Sequence, residues 1–414
     1  MSLNTTPRGE RAHIALFGCR NAGKSSLINA LTGQQVSIVS EVKGTTTDPV
    51  YKAMELLPLG PVTIIDTPGL DDTGKLGSLR IERTQAVINR ADVALLVVDA
   101  RNAFGQFEEQ LVAQVKERGI PLLIAINKTD LAQPTAETLA LAAELANNEP
   151  YLVSTATSEG IEALKLALAE CMPEANEQLR IVGDLIAPCD LVVLVTPIDK
   201  AAPKGRLILP QQQTIRDILE AGAIAVVTKD SELRATLAKL GTKPKLIITD
   251  SQVFAKVSAE TPADIPLTSF SILFARYKGD LESLVRGALS IERLVDGSRV
   301  LISEGCTHHR QSDDIGTVKI PRWINQHTGK KIIFEHTCGM QYPQDLATFD
   351  LIVHCGGCML NQREMLYRIE QAHQAGIPIV NYGVLIAYLQ GILPRCLSPI
   401  PGARLYLNTQ IKDN

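Results

Sequence analysis

The string GCRNAGKS (18–25) limits the fold of this chain more than any other segment of its length. It follows the apolar run HIALFG (13–18) and opens the helical pattern KSSLINALTG (24–33). A G-x-x-x-x-G-K-[ST] turn between a buried strand and a helix implies an α/β sheet whose first loop cradles phosphate. Backbone amides and the helix N-terminus supply the cradle. Lys24 is expected to reach the β and γ phosphates, and the Ser25 hydroxyl to bind magnesium. Gly18, Asn21, Ala22, Gly23 and Ser26 complete the expected contact set.

The rest of the chain repeats the alternation. VTIIDTPG (62–69), VALLVVDA (93–100), PLLIAINK (121–128) and YLVSTA (151–156) read as buried parallel strands. The polar stretch CMPEANEQL (171–179) reads as a linker. The pattern then restarts with DLVVLVTPID (190–199), AIAVVTKD (223–230) and KLIITDS (245–251) as strands, and QQTIRDILEAG (212–222) and SELRATLAKLG (231–241) as helices. A mostly helical segment (265–294) leads to four further strand candidates at 298–305, 330–336, 349–355 and 377–383. A chain of 414 residues exceeds one hydrophobic core. The expectation is three α/β domains at 1–172, 173–265 and 266–414. The net charge of -4 gives no reason to expect bulk nucleic-acid binding. No run reaches a membrane span and the first dozen residues lack a signal-peptide core, so a cytoplasmic chain is expected.

Three further motifs refine the nucleotide site. In DTPG (66–69), Asp66 is expected to hold magnesium through water and the Gly69 amide to meet the γ-phosphate. In NKTD (127–130), the Asp130 carboxylate can accept the N–H groups of guanine, with Asn127 and Lys128 beside it. Such a polar site discriminates by on the order of 10⁴. STA (154–156) places Ser154 and Thr155 at a guanine-contacting loop. These motifs, in this order, resemble the Ras-like GTPases, in particular the Era-type and TrmE-type branch, over about residues 10–170. The resemblance implies GTP and Mg2+, with GTTTD (44–48) as switch I and Thr45 or Thr46 as a magnesium ligand. Leu70 stands where many such enzymes carry a water-positioning glutamine. Asn21 matches the position that helps bind K+ in TrmE-like relatives, where the cation adds positive charge beside the phosphates. The alternative for Asn21 is a loop hydrogen bond only. Cys19 reads as incidental.

The other chemistry lies in the last third. Cys306-x-His308 and His354-Cys355-x-x-Cys358 are 45 residues apart, and six of the seven histidines lie beyond residue 300. In a reducing compartment such cysteines argue for metal or reactivity rather than disulfides. From spacing, zinc and iron–sulfur are level. Cys358 is expected near a helix N-terminus, where thiolate charge is stabilised.

The longer strings CTHHRQSDDIGTVKIPRW (306–323), HCGGCMLNQREM (354–365) and PKGRLILPQQQTIRDIL (203–219) resemble the FeFe-hydrogenase maturation GTPases, the HydF family. That resemblance implies a Ras-like P-loop GTPase domain followed by two smaller α/β domains, for dimerisation and metal-cluster binding. It implies Cys306, Cys355 and Cys358 as ligands of a 4Fe-4S cluster with one open iron. His308 and His354 are candidates for that open position or for hydrogen bonding beside the cluster. His309, His327 and His336 get the hydrogen-bonding reading, and Cys338 and Cys396 that of buried thiols. The family carries a transient diiron carbonyl/cyanide precursor, made with radical SAM maturases, to apo FeFe-hydrogenase. A homodimer and slow, potassium-stimulated hydrolysis follow from the same resemblance. The alternative is a regulatory GTPase with a structural zinc or redox-sensing C-terminal domain. KAAPKGR (200–206) reads as a solvated basic turn, and the tail after about 395 has no assigned role.

Overall fold

The computed structural model describes residues 8–33, 49–67, 83–102, 104–172, 180–198, 207–305, 314–339, 342, 343 and 345–408. The chain divides into two compact units, Met1–Ala175 and Asn176–Asn414.

The first unit is a six-stranded sheet in the order β2-β3-β1-β4-β5-β6. Its strands are β1 (Ala12–Phe17), β2 (Val50–Leu56), β3 (Gly60–Asp66), β4 (Val93–Asp99), β5 (Leu122–Asn127) and β6 (Tyr151–Val153). All neighbours are parallel except β2, which runs antiparallel along β3. The near-continuous apolar strands follow from burial on both faces. Side chains alternate across the sheet. Ile14, Leu16, Leu95 and Val97 pack with Leu27, Ile28 and Leu31 of α1 (Lys24–Thr32) and with Leu164 and Leu168 of α5 (Ile161–Glu170). Phe17, Leu96 and Val98 pack on the other face. They meet a helical stretch α2 (83–88), α3 (Gln106–Glu117) and α4 (Ala136–Ala146). Each such aliphatic side chain contributes about 1.5–3 kcal/mol by leaving water.

The second unit holds two parallel four-stranded sheets. One has the order β10-β9-β7-β8, from β7 (Leu191–Val195), β8 (Ile224–Thr228), β9 (Leu246–Thr249) and β10 (Leu267–Ser269). Helices α6 (Leu209–Glu220), α7 (Leu233–Lys239) and α8 (Phe254–Glu260) connect these strands. The other has the order β12-β11-β13-β14, from β11 (Arg299–Glu304), β12 (Ile333–Cys338), β13 (Leu351–His354) and β14 (Ile379–Asn381). The sequence places a domain end at 265, but β10 pairs with β9 through Leu267↔Ile247 and Ser269↔Thr249, so the first of these sheets runs past that point.

Helix α9 (Phe270–Lys278) stands between the two sheets. Its Phe270, Leu273 and Phe274 join the core of the first. Its Ile272 and Ala275 join the larger core of the second, with Val300, Ile302, Leu351 and Val353. Helices α10 (Leu281–Leu289), α11 (Ile320–Thr328), α12 (Gln362–Gln374), α13 (Tyr382–Leu389) and α14 (Leu393–Leu397) complete this unit. The carboxyl ends of β11 and β13 lie side by side, with Ser303 opposite His354. The strands that precede the two cysteine motifs in sequence therefore end side by side at one sheet edge, a usual place for a site in α/β folds. No described helix is long and apolar enough to cross a membrane.

Candidate functional site

The loop after β1 is shaped by close backbone approach. Gly18 has φ 146°, and a Cβ there would lie 2.3 Å from the Val97 carbonyl oxygen. Gly23 has φ 95°, and its Cβ would lie 2.2 Å from Asn127 Nδ2. Only glycine meets both demands. Asn21 also takes a left-handed conformation, φ 63°, which asparagine tolerates better than other side chains. Lys24 is buried under this loop and donates to the carbonyls of Gly18 (2.6 Å) and Cys19 (3.0 Å). Ser25 Oγ donates to Asp66 Oδ2 at 3.3 Å. Asp66 Oδ1 is buried with no hydrogen-bond partner. Burial pushes the Asp66 carboxyl up, against the pull of Lys24 and the Ser25 hydroxyl. A buried anionic oxygen lacking a partner beside a hydroxyl fits a divalent cation and its water.

The base-recognition motifs are tied to the same loop. Asn127 is buried; its Nδ2 donates to the Ala22 carbonyl (3.0 Å) and its Oδ1 accepts from the Thr155 amide (3.4 Å). Asp130 is exposed, and its Oδ1 accepts from Ser154 Oγ at 2.6 Å. Ser154 Oγ in turn accepts from the amides of Ala156 and Thr157, which fixes the carboxylate's orientation. Lys128 Nζ bridges the Asn21 carbonyl (2.5 Å) and Asp99 Oδ2 (2.7 Å). Hydrogen bonds from Arg101, and then from Lys128, hold the Asp99 carboxyl well below its usual range. Asp99 is the last residue of β4, where the sequence shows only an apolar strand. The Asn21 side-chain amide is exposed and makes no hydrogen bond among the described residues, whereas its main-chain oxygen takes Lys128. Thr45, Thr46, Gly69 and Leu70 lie outside the described residues.

At the edge of the third sheet, Cys355 Sγ accepts from two backbone amides, Gly305 (3.0 Å) and Gly357 (3.4 Å). Paired amide donors favour the sulfur as a thiolate. Burial nonetheless pushes the thiols of Cys355 and Cys358 up, with the two amides opposing at Cys355 and Lys278 opposing at Cys358. The expected thiolate stabilisation by a helix end is not what the fold supplies. Helix α12 begins at Gln362, and its N-cap Asn361 serves the Glu364 amide, so Cys358 lies a turn upstream. The positive charge comes instead from Lys278, 3% exposed, whose Nζ donates to the carbonyls of Cys358 (3.3 Å) and Leu360 (2.9 Å).

His354 is 0% exposed, and both ring nitrogens are engaged. Nδ1–H donates to the Cys355 carbonyl (2.7 Å), which leaves Nε2 to accept from Arg368 Nη1 (3.1 Å). Burial, and then the Arg368 charge, hold the imidazole neutral with its pKa pushed down to about 3. Of the two readings for His354, this geometry agrees with hydrogen bonding beside the site. Arg368, also 0% exposed, pairs with Glu364 (2.8 Å), donates to the Gly339 carbonyl (3.0 Å) and lies over the Tyr342 ring. Its i,i+4 spacing from Glu364 on α12 was the available sequence signal.

Cys338 ends β12, opposite Glu304, and is half-buried rather than buried. Cys396 is buried, and its thiol is pushed up to about 12 by burial. His327 Nε2–H donates to Glu292 Oε1 at 2.7 Å. Cys306, His308 and His309 lie outside the described residues, and among the described residues no group of three or more His, Cys, Asp or Glu forms a metal cage.

Comparison with known proteins extends the picture. The tRNA modification GTPase MnmE of Synechocystis is 34% identical over 179 residues, 42% of this chain and 38% of its own length. MnmE of Nitrosomonas europaea is 36% identical over 177 residues, 42% of this chain and 37% of its own. This chain thus spans well under half the length of these relatives. The FeoB G-domain structure from Methanococcus jannaschii is 28% identical, covering 39% of this chain and 97% of that one, with a TM-score of 0.30. A family model described as a 50S ribosome-binding GTPase matches residues 13–128, the span that holds the phosphate loop and DTPG and ends within NKTD. The second unit matches two models of one family: the hydrogen maturase F dimerization domain over 181–279 and the hydrogen maturase F tetramerization domain over 282–399. With a P-loop GTPase domain ahead of both, the chain belongs to the hydrogen maturase F family.

Proposed function

We propose that this chain is a GTP-hydrolysing scaffold that holds a 4Fe-4S cluster and carries a diiron precursor to apo FeFe-hydrogenase. The observation that carries the reading is the Cys355 sulfur between the Gly305 and Gly357 amides. It is a sulfur that already accepts from two backbone amides at the end of β13, the strand beside β11. Cys306, Cys355 and Cys358 would hold the cluster. A cluster with three protein thiolates supplies an iron able to take a further ligand. Lys278 places a buried positive charge beside the Cys358 loop, which would offset part of the negative charge of such a group, whereas Arg368 is paired with Glu364.

In the GTPase domain, Lys24 would exchange the Gly18 and Cys19 carbonyls for phosphate oxygens. Ser25 and Asp66 would hold magnesium, which neutralises phosphate charge, with Thr46 as a further ligand. Asp130, oriented by Ser154, and Asn127 would select guanine. Asn21 has its side-chain amide available for K+, and hydrolysis would be slow. Assembly as a dimer, and through a second surface as a tetramer, follows from the family's domain descriptions. Domain divisions near 175 and 280 are proposed from the compact units and the family matches.

Anaerobic reconstitution with iron and sulfide tests the reading. About four irons per chain with a broad absorption band near roughly 400 nm are expected, both falling sharply in Cys355→Ser. Stoichiometric zinc in a colourless protein would replace the scaffold with a structural-zinc GTPase.

A further inference from the structure

A cavity of about 240 Å³ lies between α11 and the end of α13, lined by Trp323, Gln326, His327, Ile386, Leu389 and Gln390. The Trp323 indole, Ile386 and Leu389 supply its apolar surface. Its most telling polar atom is Gln390 Oε1, which is buried with no hydrogen-bond partner. Buried polar atoms are nearly always paired, so an acceptor left open on a cavity wall marks a place for a donor from outside the fold. His327 gives its Nε2–H to Glu292 Oε1 at 2.7 Å, which leaves Nδ1 of the neutral ring as a second acceptor. Glu292 Oε1 also accepts from the Tyr388 hydroxyl at 2.8 Å. Both donors use one carboxylate oxygen, so Oε2 is spared by them. Their hydrogen bonds, that of His327 first, hold the Glu292 carboxyl below its ordinary range, and it stands as an anion behind His327. No lysine or arginine lines the cavity among the described residues.

An aromatic wall, open acceptors and a carboxylate behind them define one kind of occupant. It is cationic, planar and rich in N–H groups. A guanidinium has all three properties: a permanent charge, five N–H donors in one plane, and a face that stacks on an indole ring. An ammonium brings the charge without the plane. We propose that this cavity is a binding site for a guanidinium group, with Gln390 Oε1 and His327 as its acceptors, Trp323 as its stacking surface and Glu292 as its counter-charge. Two sources present that group: a free arginine-like molecule, or an arginine side chain of a second copy of this chain. The cavity lies within 282–399, the span matched by the tetramerization model, so the second source is tested beside the first.

L-Arginine is the probe. The full chain is titrated with it while the fluorescence of Trp323, the one tryptophan, is followed. L-Citrulline, which keeps the shape and lacks the charge, is the control. A saturable change with arginine and none with citrulline over the same range is expected. Gln390→Leu and Glu292→Gln should each weaken arginine binding about ten-fold, as for losing a hydrogen bond to a charged group. Urea midpoints are measured for both variants, so that lost binding is not confused with lost folding. Light scattering during the titration separates the two sources. An assembly that shrinks as arginine is added, and that is already smaller in Glu292→Gln, assigns the guanidinium to a second copy. An assembly indifferent to bound arginine assigns it to a free molecule. An equal response to citrulline, unchanged arginine affinity in both folded variants, or no saturable response together with an unshifted assembly overturns the site.

Discussion

Replacing Arg368 with methionine probes the least replaceable part of the thiolate site. The guanidinium is fully buried and makes an ion pair with Glu364, whose side chain is 6% exposed. It also supplies the donors for the Gly339 carbonyl and for His354 Nε2. Arg368→Met deprives the buried Glu364 carboxylate of its guanidinium partner, at a cost of about 3–5 kcal/mol. Two further acceptors lose partners, each worth about 1–3 kcal/mol when it stays dry. These terms share one cavity and do not add, so the expected loss is about 3–5 kcal/mol. Arg368→Met/Glu364→Leu removes both charges and should recover part of that loss, leaving about 1–3 kcal/mol from the two orphaned acceptors. Trp323 is the one tryptophan of the chain and packs against the same core, so its fluorescence in a urea titration reports this layer without interference. Midpoints at unchanged slope give the comparison. A single variant within about 1 kcal/mol of the parent, or a double variant worse than the single one, would refute the view that the pair is held by mutual neutralisation.

Two predictions concern the nucleotide domain. Asp99→Asn should free Lys128 from its anchor and weaken GTP binding about ten-fold in a fluorescent-nucleotide titration. Since the Asp99 carboxyl is held below its ordinary range, its contribution to stability is complete above about pH 4 and is lost as pH falls further, so the variant should lack that acid-side loss in thermal scans. Equal affinity in parent and variant would remove Asp99 from the site. Asn21→Ala should abolish any excess of hydrolysis in potassium over sodium while leaving GTP affinity within a few-fold, and an unchanged rate ratio would leave Asn21 with a loop role alone.

The sequence was most legible where one residue type satisfies a steric demand. Gly18, Gly23 and Lys24 are readable because the loop admits few alternatives. The apolar strands β1, β4 and β5 are readable because they are covered on both faces. Strand β2 escaped notice because an edge strand, VYKAMEL, mixes charge with residues of good helix propensity. Strand β10 escaped because three residues ahead of a helix carry no period. The run VLIAYL of α13 is apolar all round, which hides a helix from any periodicity test. At the thiolate site the motif cysteines were visible, but their supports were not. Lys278 reaches the Cys358 carbonyl across 80 residues of chain. The pairing of His354 with Arg368 turns a metal-ligand candidate into a hydrogen-bonded strut, and nothing in a spacing of fourteen residues announces it.

Helix α9 has a consequence for any attempt to take the second unit apart. The two family matches meet at residues 279 and 282, just after this helix ends. A fragment stopping there would carry α9 away from half its packing, exposing Ile272 and Ala275 and leaving the Lys278 amine without the Cys358 and Leu360 carbonyls it serves. The complementary fragment would lose the cation beneath its cysteine loop. The junction that looks like a seam in the sequence is a keystone in the fold, and the two sheets should melt as one cooperative block.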